Sequence, residues 1–262
     1  MKSINLNTRK EQLKSIDRLL TIMDDLRAKC PWDKKQTYTS LRHLTIEEVY
    51  ELGDAILEND LPEIKKELGD LLLHIVFYAK IGSETDDFDI GSVAESICDK
   101  LIDRHPHIYG DFEANDEEAV KKNWEKLKLK EGKTSVLQGV PKSLPALVKA
   151  SRIQEKAAGV GFDWENTEDV REKMFEELSE FQAEVETGNQ KRMEEEFGDV
   201  LFSMINYARF LKINPENALE KTNKKFIKRF KFIEKQASDR GKSITDLNLA
   251  EMEVFWQQAK LF

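Results

Sequence analysis

The stretch EELSEFQAEVETGNQKRMEEEFGD, residues 176–199, carries nine acidic side chains, and their spacing decides how the chain folds. Glu177 and Glu180 stand three residues apart, as do Glu196 and Asp199. Phe175, Leu178, Phe181, Met193, Phe197 and Leu201 run beside them and are expected to face a core. Residues three apart share a helix face. The break Thr187-Gly188-Asn189 between the pairs is a turn signal. The spacing therefore predicts two antiparallel helices whose carboxylates meet in one cluster. Acidic pairs at this spacing also arise as a solvated helix face, and one copy does not separate the two readings.

A second copy does. EEVYE (47–51) aligns with EELSE (176–180), and ELGDLLL (67–73) with EFGDVLF (196–202). Glu48, Glu51, Glu67 and Asp70 thus precede Glu177, Glu180, Glu196 and Asp199 by the same 129 residues. PWDKKQT (31–37) resembles GFDWENT (161–167) at an offset of 130. Lys100 and Arg104 match Lys225 and Arg229 at 125, and Trp124 and Lys128 match Trp256 and Lys260 at 132. Repetition on this scale reads as a tandem duplication. The residues between the acids drift from LGDAILENDLPEIKK to FQAEVETGNQKRMEE. Copied surface charge has no reason to keep all four positions through that drift. Gly and Pro interrupt the helical pattern in EGKTSVLQGVPKSLPAL (131–147). This places one domain at 1–130, a linker at 131–143 and a second domain at 144–262, packed together rather than strung on a flexible tether.

Apolar residues recur every three to four positions along most of the chain, as in Ile16, Leu19, Leu20, Met23 and Leu26, or Leu68, Leu71, Leu72, Ile75 and Val76. With 40% hydrophobic residues, 35% charged residues and only 6 Pro, this predicts an all-α fold of two helical bundles. Each bundle would hold a carboxylate cluster between antiparallel helices. A net charge of −9 argues against a nucleic-acid binder, which needs a basic footprint. Cys30 and Cys98 form no disulfide framework or metal-ligand spacing. No apolar leader or membrane-length run is visible, so the sequence predicts a cytoplasmic protein.

Four convergent carboxylates repel one another and raise their pKa values, and a divalent cation relieves that repulsion. The donors are all hard oxygens, and neither site has the Glu-x-x-His pattern of di-iron bundles. This favours Mg²⁺, with Mn²⁺ as a substitute. Such a cluster suits hydrolysis of a phosphate ester or anhydride, in which the metal neutralises phosphates and activates water.

These residues resemble the MazG family, the all-α nucleoside triphosphate pyrophosphohydrolases. Its pattern of Glu-Glu-x-x-Glu, a spacer and Glu-x-x-Asp occurs from Glu47 to Asp70 and again from Glu176 to Asp199. The likeness extends through CPWD (30–33), RHPH (104–107), VGFDW (160–164) and MEVFWQQAK (252–260), as in the long two-domain bacterial type. The resemblance implies Mg²⁺-dependent cleavage of ribo- and deoxynucleoside triphosphates between the α- and β-phosphates, broad base tolerance and a homodimer. It implies that the second domain is the catalytic unit, with Glu177, Glu180, Glu196 and Asp199 on metal. Lys173, Arg192, Glu195, Lys225, Arg229 and Trp256 would surround the nucleotide, with Lys128 and Arg104 contributing from the first domain. Arg192 stands where relatives are expected to carry Lys.

Lys225 and Arg229, four apart, could clamp a polyphosphate or form an exposed basic face. Trp256 either stacks on a base or plugs the core. Glu177 or Glu176 could accept the proton of the attacking water. Gly132-Lys133-Thr134 and Gly241-Lys242-Ser243 lack the earlier glycine of a P-loop, since Leu127 and Gln236 occupy that place. Asp87-Phe-Asp-Ile-Gly91 lacks further calcium-loop ligands, with Cys98 at the twelfth position. His105-Pro-His107 reads as a helix end. Two rivals stand beside the broad pyrophosphohydrolase: a narrow pyrophosphatase for dUTP, dCTP or a damaged nucleotide, and a nucleotide-binding regulatory protein. The weaker basic helix DKLIDRHPH predicts that the first domain is structural, regulatory or weakly active.

Overall fold

A computed structural model of the protein describes residues 7–110 and 135–261. Among them there is no strand, as the apolar periodicity predicts. The chain divides into two compact units, Met1–Glu113 and Ala114–Phe262. The residues where the sequence places the start of the join lie outside the described ones.

The first unit contains α1 (Arg9–Lys29), α2 (Tyr38–Glu58), α3 (Leu61–Ser83), α4 (Ile90–Arg104) and the short α5 (Pro106–Tyr109). The second contains α6 (Ala146–Ala158), α7 (Thr167–Thr187), α8 (Gln190–Phe210), α9 (Pro215–Ser238) and α10 (Leu249–Ala259). In each unit the dominant packing is a helix hairpin, α2 on α3 and α7 on α8. Around the second hairpin, α6 and α9 pack against α8, and α10 packs on α9.

The duplication reaches into the caps. Both α2 and α7 are 21 residues long and begin 129 residues apart. Their N-caps are Thr37, which accepts from the Ser40 amide, and Asn166, which accepts from the Asp169 amide. Such caps satisfy amides that the helix itself cannot. Both helices end on a left-handed residue, Asn59 (φ 55°) and Gly188 (φ 71°). The next residue, Asp60 or Asn189, caps the following helix through the amide of Glu63 or Arg192. A two-residue turn of this kind allows no long connection, so each hairpin must run antiparallel.

Met23, Leu41, Val76, Phe77 and Ile81 form the core of the first unit, and Ile233, Ala237, Leu247 and Phe255 a core in the second. The apolar residues beside the acids behave differently from the expectation. Phe175, Leu178, Phe197 and Leu201 are exposed, and Phe181 and Met193 are half-buried. A hairpin of two helices covers only one stripe of each, and no described element lies over this one. No described helix is long and apolar enough to cross a membrane.

The turn geometry carries a stability expectation. At φ 71° Gly188→Val forces a β-branched side chain into the left-handed region, at a cost of about 1–2 kcal/mol. Asn59→Gly, at φ 55°, changes stability by only a few tenths, roughly. Urea midpoints of the two variants against wild type measure the contrast.

Candidate metal centre

The hairpin turns set the phase at which acids on facing helices meet. Glu177 on α7 and Glu196 and Asp199 on α8 each present a carboxylate oxygen within 4.8 Å of the others. In the first unit Glu48, Glu67 and Asp70 do the same. Three of each predicted set of four thus converge, while Glu51 and Glu180 stand outside that radius. Glu180 still acts on the cluster. Burial raises the pKa of Glu196, and the neighbouring charges of Glu180, Asp199 and Glu177 raise it further. Glu48 is raised in the same way by burial and then by Asp70, Glu51 and Glu67.

Each cluster has one ammonium beside it, supplied from a different helix. Lys173 Nζ lies 2.9 Å from Glu177 Oε1 and 3.0 Å from Glu176 Oε1, and the two carboxylates hold its pKa above the usual lysine value. Residue 44, the position matching Lys173, is leucine. The first unit instead uses Lys66, 2.6 Å from both Glu63 and Glu67. That pairing lowers the Glu67 pKa despite its burial.

Glu67 also tests whether a cation fits. It is 1% exposed, and its Oε1 accepts from Lys66. Its Oε2 is buried and has no hydrogen-bond partner among the described residues. Leaving a buried carboxylate oxygen unsatisfied is costly. An oxygen-seeking divalent ion held by Glu48, Glu67 and Asp70 would remove that cost, so the donor set fits.

The other candidates fall in several places. The cleft beside the second cluster, about 190 Å³, is lined by Lys173, Glu177 and Asp199 together with Trp164, Phe202 and Asn206. Arg192 reaches Glu184 at 3.7 Å, and Glu195 lies 3.8 Å from Lys191. Lys225 is exposed on α9, and one turn on, Arg229 sits 5.5 Å over the Trp256 ring. Trp256 also meets Phe226 at 5.1 Å and packs against the Ile233–Phe255 core, so much of its ring is engaged within the unit. Arg104 is on α4 in the first unit, and Lys128 lies outside the described residues. Lys242 pairs with Glu251, and Ser243 caps the turn Ile244–Asp246. Asp89 caps α4 through the Ser92 amide, and His105 closes α4 just before Pro106 opens α5. These are structural uses of the sequence decoys.

Three features escaped the sequence reading. Arg209 forms a two-pronged pair with Asp163, one contact at 2.8 Å, and also donates to Asn206 at 2.8 Å. His74 Nδ1 and the Tyr78 hydroxyl converge on the Thr45 hydroxyl at 2.8 and 2.7 Å. Gln154 is buried under α8. The Asp163 signal was present in GFDW, as the copy of PWDK; the partners of the other two are fixed only by tertiary contact.

The model of the MazG nucleotide pyrophosphohydrolase domain matches the chain twice, at residues 36–109 and 165–233. The chain is 42% identical over 257 residues to a nucleoside triphosphate pyrophosphohydrolase of Escherichia coli, covering 95% of this chain and 98% of that protein. It is 42% identical over 249 residues to the nucleoside triphosphate pyrophosphohydrolase/pyrophosphatase MazG of Thermotoga maritima, covering 93% and 95%. It is 46% identical over 235 residues to the uncharacterized protein YabN of Bacillus subtilis, covering 88% of this chain and 48% of that one.

The raised carboxyls give a signed expectation. A carboxyl whose pKa is higher in the fold than in the unfolded chain stabilises the fold at low pH, and that contribution is lost as pH rises through the folded value. At neutral pH ionised Glu48 and Glu196 therefore oppose folding, and a divalent cation would offset this. Added Mg²⁺ is expected to raise Tm more at pH 7.5 than at pH 5. Glu196→Gln is expected to raise the Tm of chelator-treated protein at pH 7.5 and to reduce the Mg²⁺ response. A Tm indifferent to Mg²⁺ at both pH values would return the clusters to solvated surface.

Proposed function

The chain belongs to the MazG nucleotide pyrophosphohydrolase family, and on that premise we propose that it cleaves nucleoside triphosphates between the α- and β-phosphates. The products are nucleoside monophosphate and pyrophosphate, and the enzyme tolerates many bases on ribose or deoxyribose. One observation carries the reading: Glu177, Glu196 and Asp199 converge at the mouth of a cleft that also holds Lys173. Glu180, one turn along α7, completes the metal-binding set.

Hard oxygen donors favour Mg²⁺, with Mn²⁺ as substitute. The bound cation supplies neutralisation of phosphate charge and acidification of water. Lys173 orients Glu177 and Glu176 together. Glu177 belongs to the cluster, so Glu176, held by the same ammonium, is the carboxylate we assign to take the proton of the attacking water. Lys225 and Arg229 present cations one turn apart for the polyphosphate. Arg192 and Glu195 lie at the start of α8, the helix that carries Glu196 and Asp199.

The first unit keeps a metal cluster but not its surroundings. Leu44, Glu63 and Phe77 occupy the positions of Lys173, Arg192 and Asn206. This supports a structural, regulatory or weakly active role there. The exposed row Phe175, Leu178, Phe197 and Leu201 on α7 and α8 supports assembly as a homodimer that covers it. A cytoplasmic setting goes with nucleoside triphosphate substrates.

Release of monophosphate and pyrophosphate from a panel of ribo- and deoxynucleoside triphosphates tests the reaction. Glu177→Ala is expected to lower kcat/KM by about 100-fold or more, since metal ligation lowers the barrier by several kcal/mol. Glu48→Ala is expected to turn over like wild type. Products of orthophosphate and nucleoside diphosphate would refute the cleavage site, and a collapse in Glu48→Ala, with the oligomer intact by sedimentation, would refute the division of roles.

A further inference from the structure

Helix α9 of the second unit carries lysines that the reaction reading leaves unused. Lys221, Lys224, Lys225, Lys228, Lys231 and Lys235 all lie on it, in a chain whose net charge is −9. At about 100° per residue they share one arc of the helix, facing away from Ile233 and Ala237 in the core. From Lys221 to Lys235 the stripe runs about 21 Å. Arg229 leaves it and turns over the Trp256 ring at 5.5 Å.

The stripe costs the helix stability. Lys221 and Lys225, Lys224 and Lys228, and Lys231 and Lys235 stand four apart, and like charges at that spacing repel along a helix face. Glu234 is the one acid from Lys221 to Lys235, so the helix does not neutralise itself. Lys221, Lys225, Lys231 and Lys235 are exposed, and among the described residues none of these four has an acid at ion-pair distance. Repulsion held on a solvent face calls for an anion from outside the fold.

The sister helix shows that the fold does without it. The offset of 125 residues that aligns Lys100 and Arg104 with Lys225 and Arg229 puts Ser96 at the position of Lys221, Asp99 at that of Lys224 and Asp103 at that of Lys228. DKLIDR (99–104) on α4 thus stands where α9 has KKFIKR (224–229). The two cations assigned to polyphosphate are common to both helices. In one copy each directly follows an acid, and in the other each directly follows a lysine. Two charge reversals beside the same pair separate a self-neutralised face from a cationic one, and the cationic one belongs to the unit whose cleft keeps Lys173 beside its acids.

We propose that this lysine stripe steers the polyphosphate of the nucleotide to the second unit, against the field of its acids, and delivers it to Lys225 and Arg229. The inference rests on the nucleotide reading above and adds how the substrate arrives. Helix α9 packs on α8, the helix that carries Glu196 and Asp199. A nucleotide with several negative charges therefore approaches acids of its own sign, in a chain that is acidic as a whole. A local surface of opposite charge raises association rates by roughly 10- to 1,000-fold at low salt. The make-up of the stripe suits transit rather than capture. Lysine is a strongly hydrated point charge without the fixed fork by which arginine grips phosphate. At about 21 Å the stripe is also much longer than one triphosphate, and so offers a track instead of a single seat.

The test is the association rate of N-methylanthraniloyl-ATP with Mg²⁺, followed by stopped flow from about 10 to 300 mM salt, over which the screening length falls from roughly 30 Å to below about 8 Å. Lys221→Gln/Lys231→Gln/Lys235→Gln removes charge and leaves Lys225 and Arg229 in place. It is expected to associate about tenfold more slowly than wild type at low salt, to match it at high salt, and to keep its dissociation rate and kcat. Its Tm is expected to equal or exceed that of wild type, since repulsion along α9 is relieved. Lys221→Arg/Lys231→Arg/Lys235→Arg, which keeps the charge, is expected to associate like wild type. Equal rates and salt slopes in wild type and the Gln variant overturn the proposal, as does a change confined to dissociation or kcat. An unchanged nucleotide rate with lost binding of a single-stranded oligonucleotide overturns it in favour of nucleic acid. Release of monophosphate and pyrophosphate reads the reaction separately. Without release, a salt-dependent association lost in the Gln variant sustains steering while the cleavage reading fails, and no association by wild type overturns steering as well.

Discussion

The constraint on which the rest depends is electrostatic: three carboxylates are forced together where two antiparallel helices face each other. Nothing in helix packing asks for this. Apolar side chains at Glu177, Glu196 and Asp199 would pack the hairpin without the repulsion that raises the Glu196 carboxyl. The fold accepts the conflict and fixes it rigidly, with a two-residue turn that leaves the helices no freedom to slide. Capped ends at Asn166 and Asn189 set the phase of both. A surface cluster would relax by rotating its side chains into solvent. A cluster whose members sit on separate helices locked by one turn is held close by the backbone itself, and its hard-oxygen donors fit a cation.

The two copies show what such a constraint tolerates. Both keep the acids, the turn and the caps, and each recruits a single ammonium, yet Lys173 lies on the first helix of its hairpin and Lys66 on the second. The charge balance near the cluster is thus restored by whichever helix can reach. The walls diverge further, because they are not tied to the cluster. Where the second copy has Lys173, Arg192 and Asn206, the first has Leu44, Glu63 and Phe77. The acid cluster and the cleft beside it are separable layers of one fold, the first under electrostatic restraint and the second free to fill.

Much of this was legible in the sequence, because the duplication acts as an internal control. Period, turn and acid spacing predicted the all-α class and both hairpins, and the common offset of 129 residues carries into helix starts and caps. The exposure of Phe175, Leu178, Phe197 and Leu201 was not legible. Apolar periodicity says which residues share a face, but not whether anything covers it. Three of four carboxylates meeting within 4.8 Å also went beyond spacing. Residues three apart share a face, yet they differ by a turn in height, and that height decides whether Glu180 reaches the cluster or only acts on it through its charge. Gln154 was invisible for another reason. A lone glutamine in ALVKASRIQEKAA has no pattern, and its meaning comes from the carbonyl of Phe202, 48 residues away.

That glutamine bears on how the site divides its labour. The proposed reading gives the cations on α7 and α9, and the acids between them, the charged end of a nucleotide. Beyond Trp164 and Phe202 the lining turns apolar, and its one ion pair, Asp163 with Arg209, is closed on itself. Arg209 is withheld from the ligand by Asp163, and Asn206 is held by Arg209. The pair that the copied GFDW segment supplies therefore acts in two ways. It anchors the loop carrying Trp164 to α8, and it neutralises the one cation lining that space.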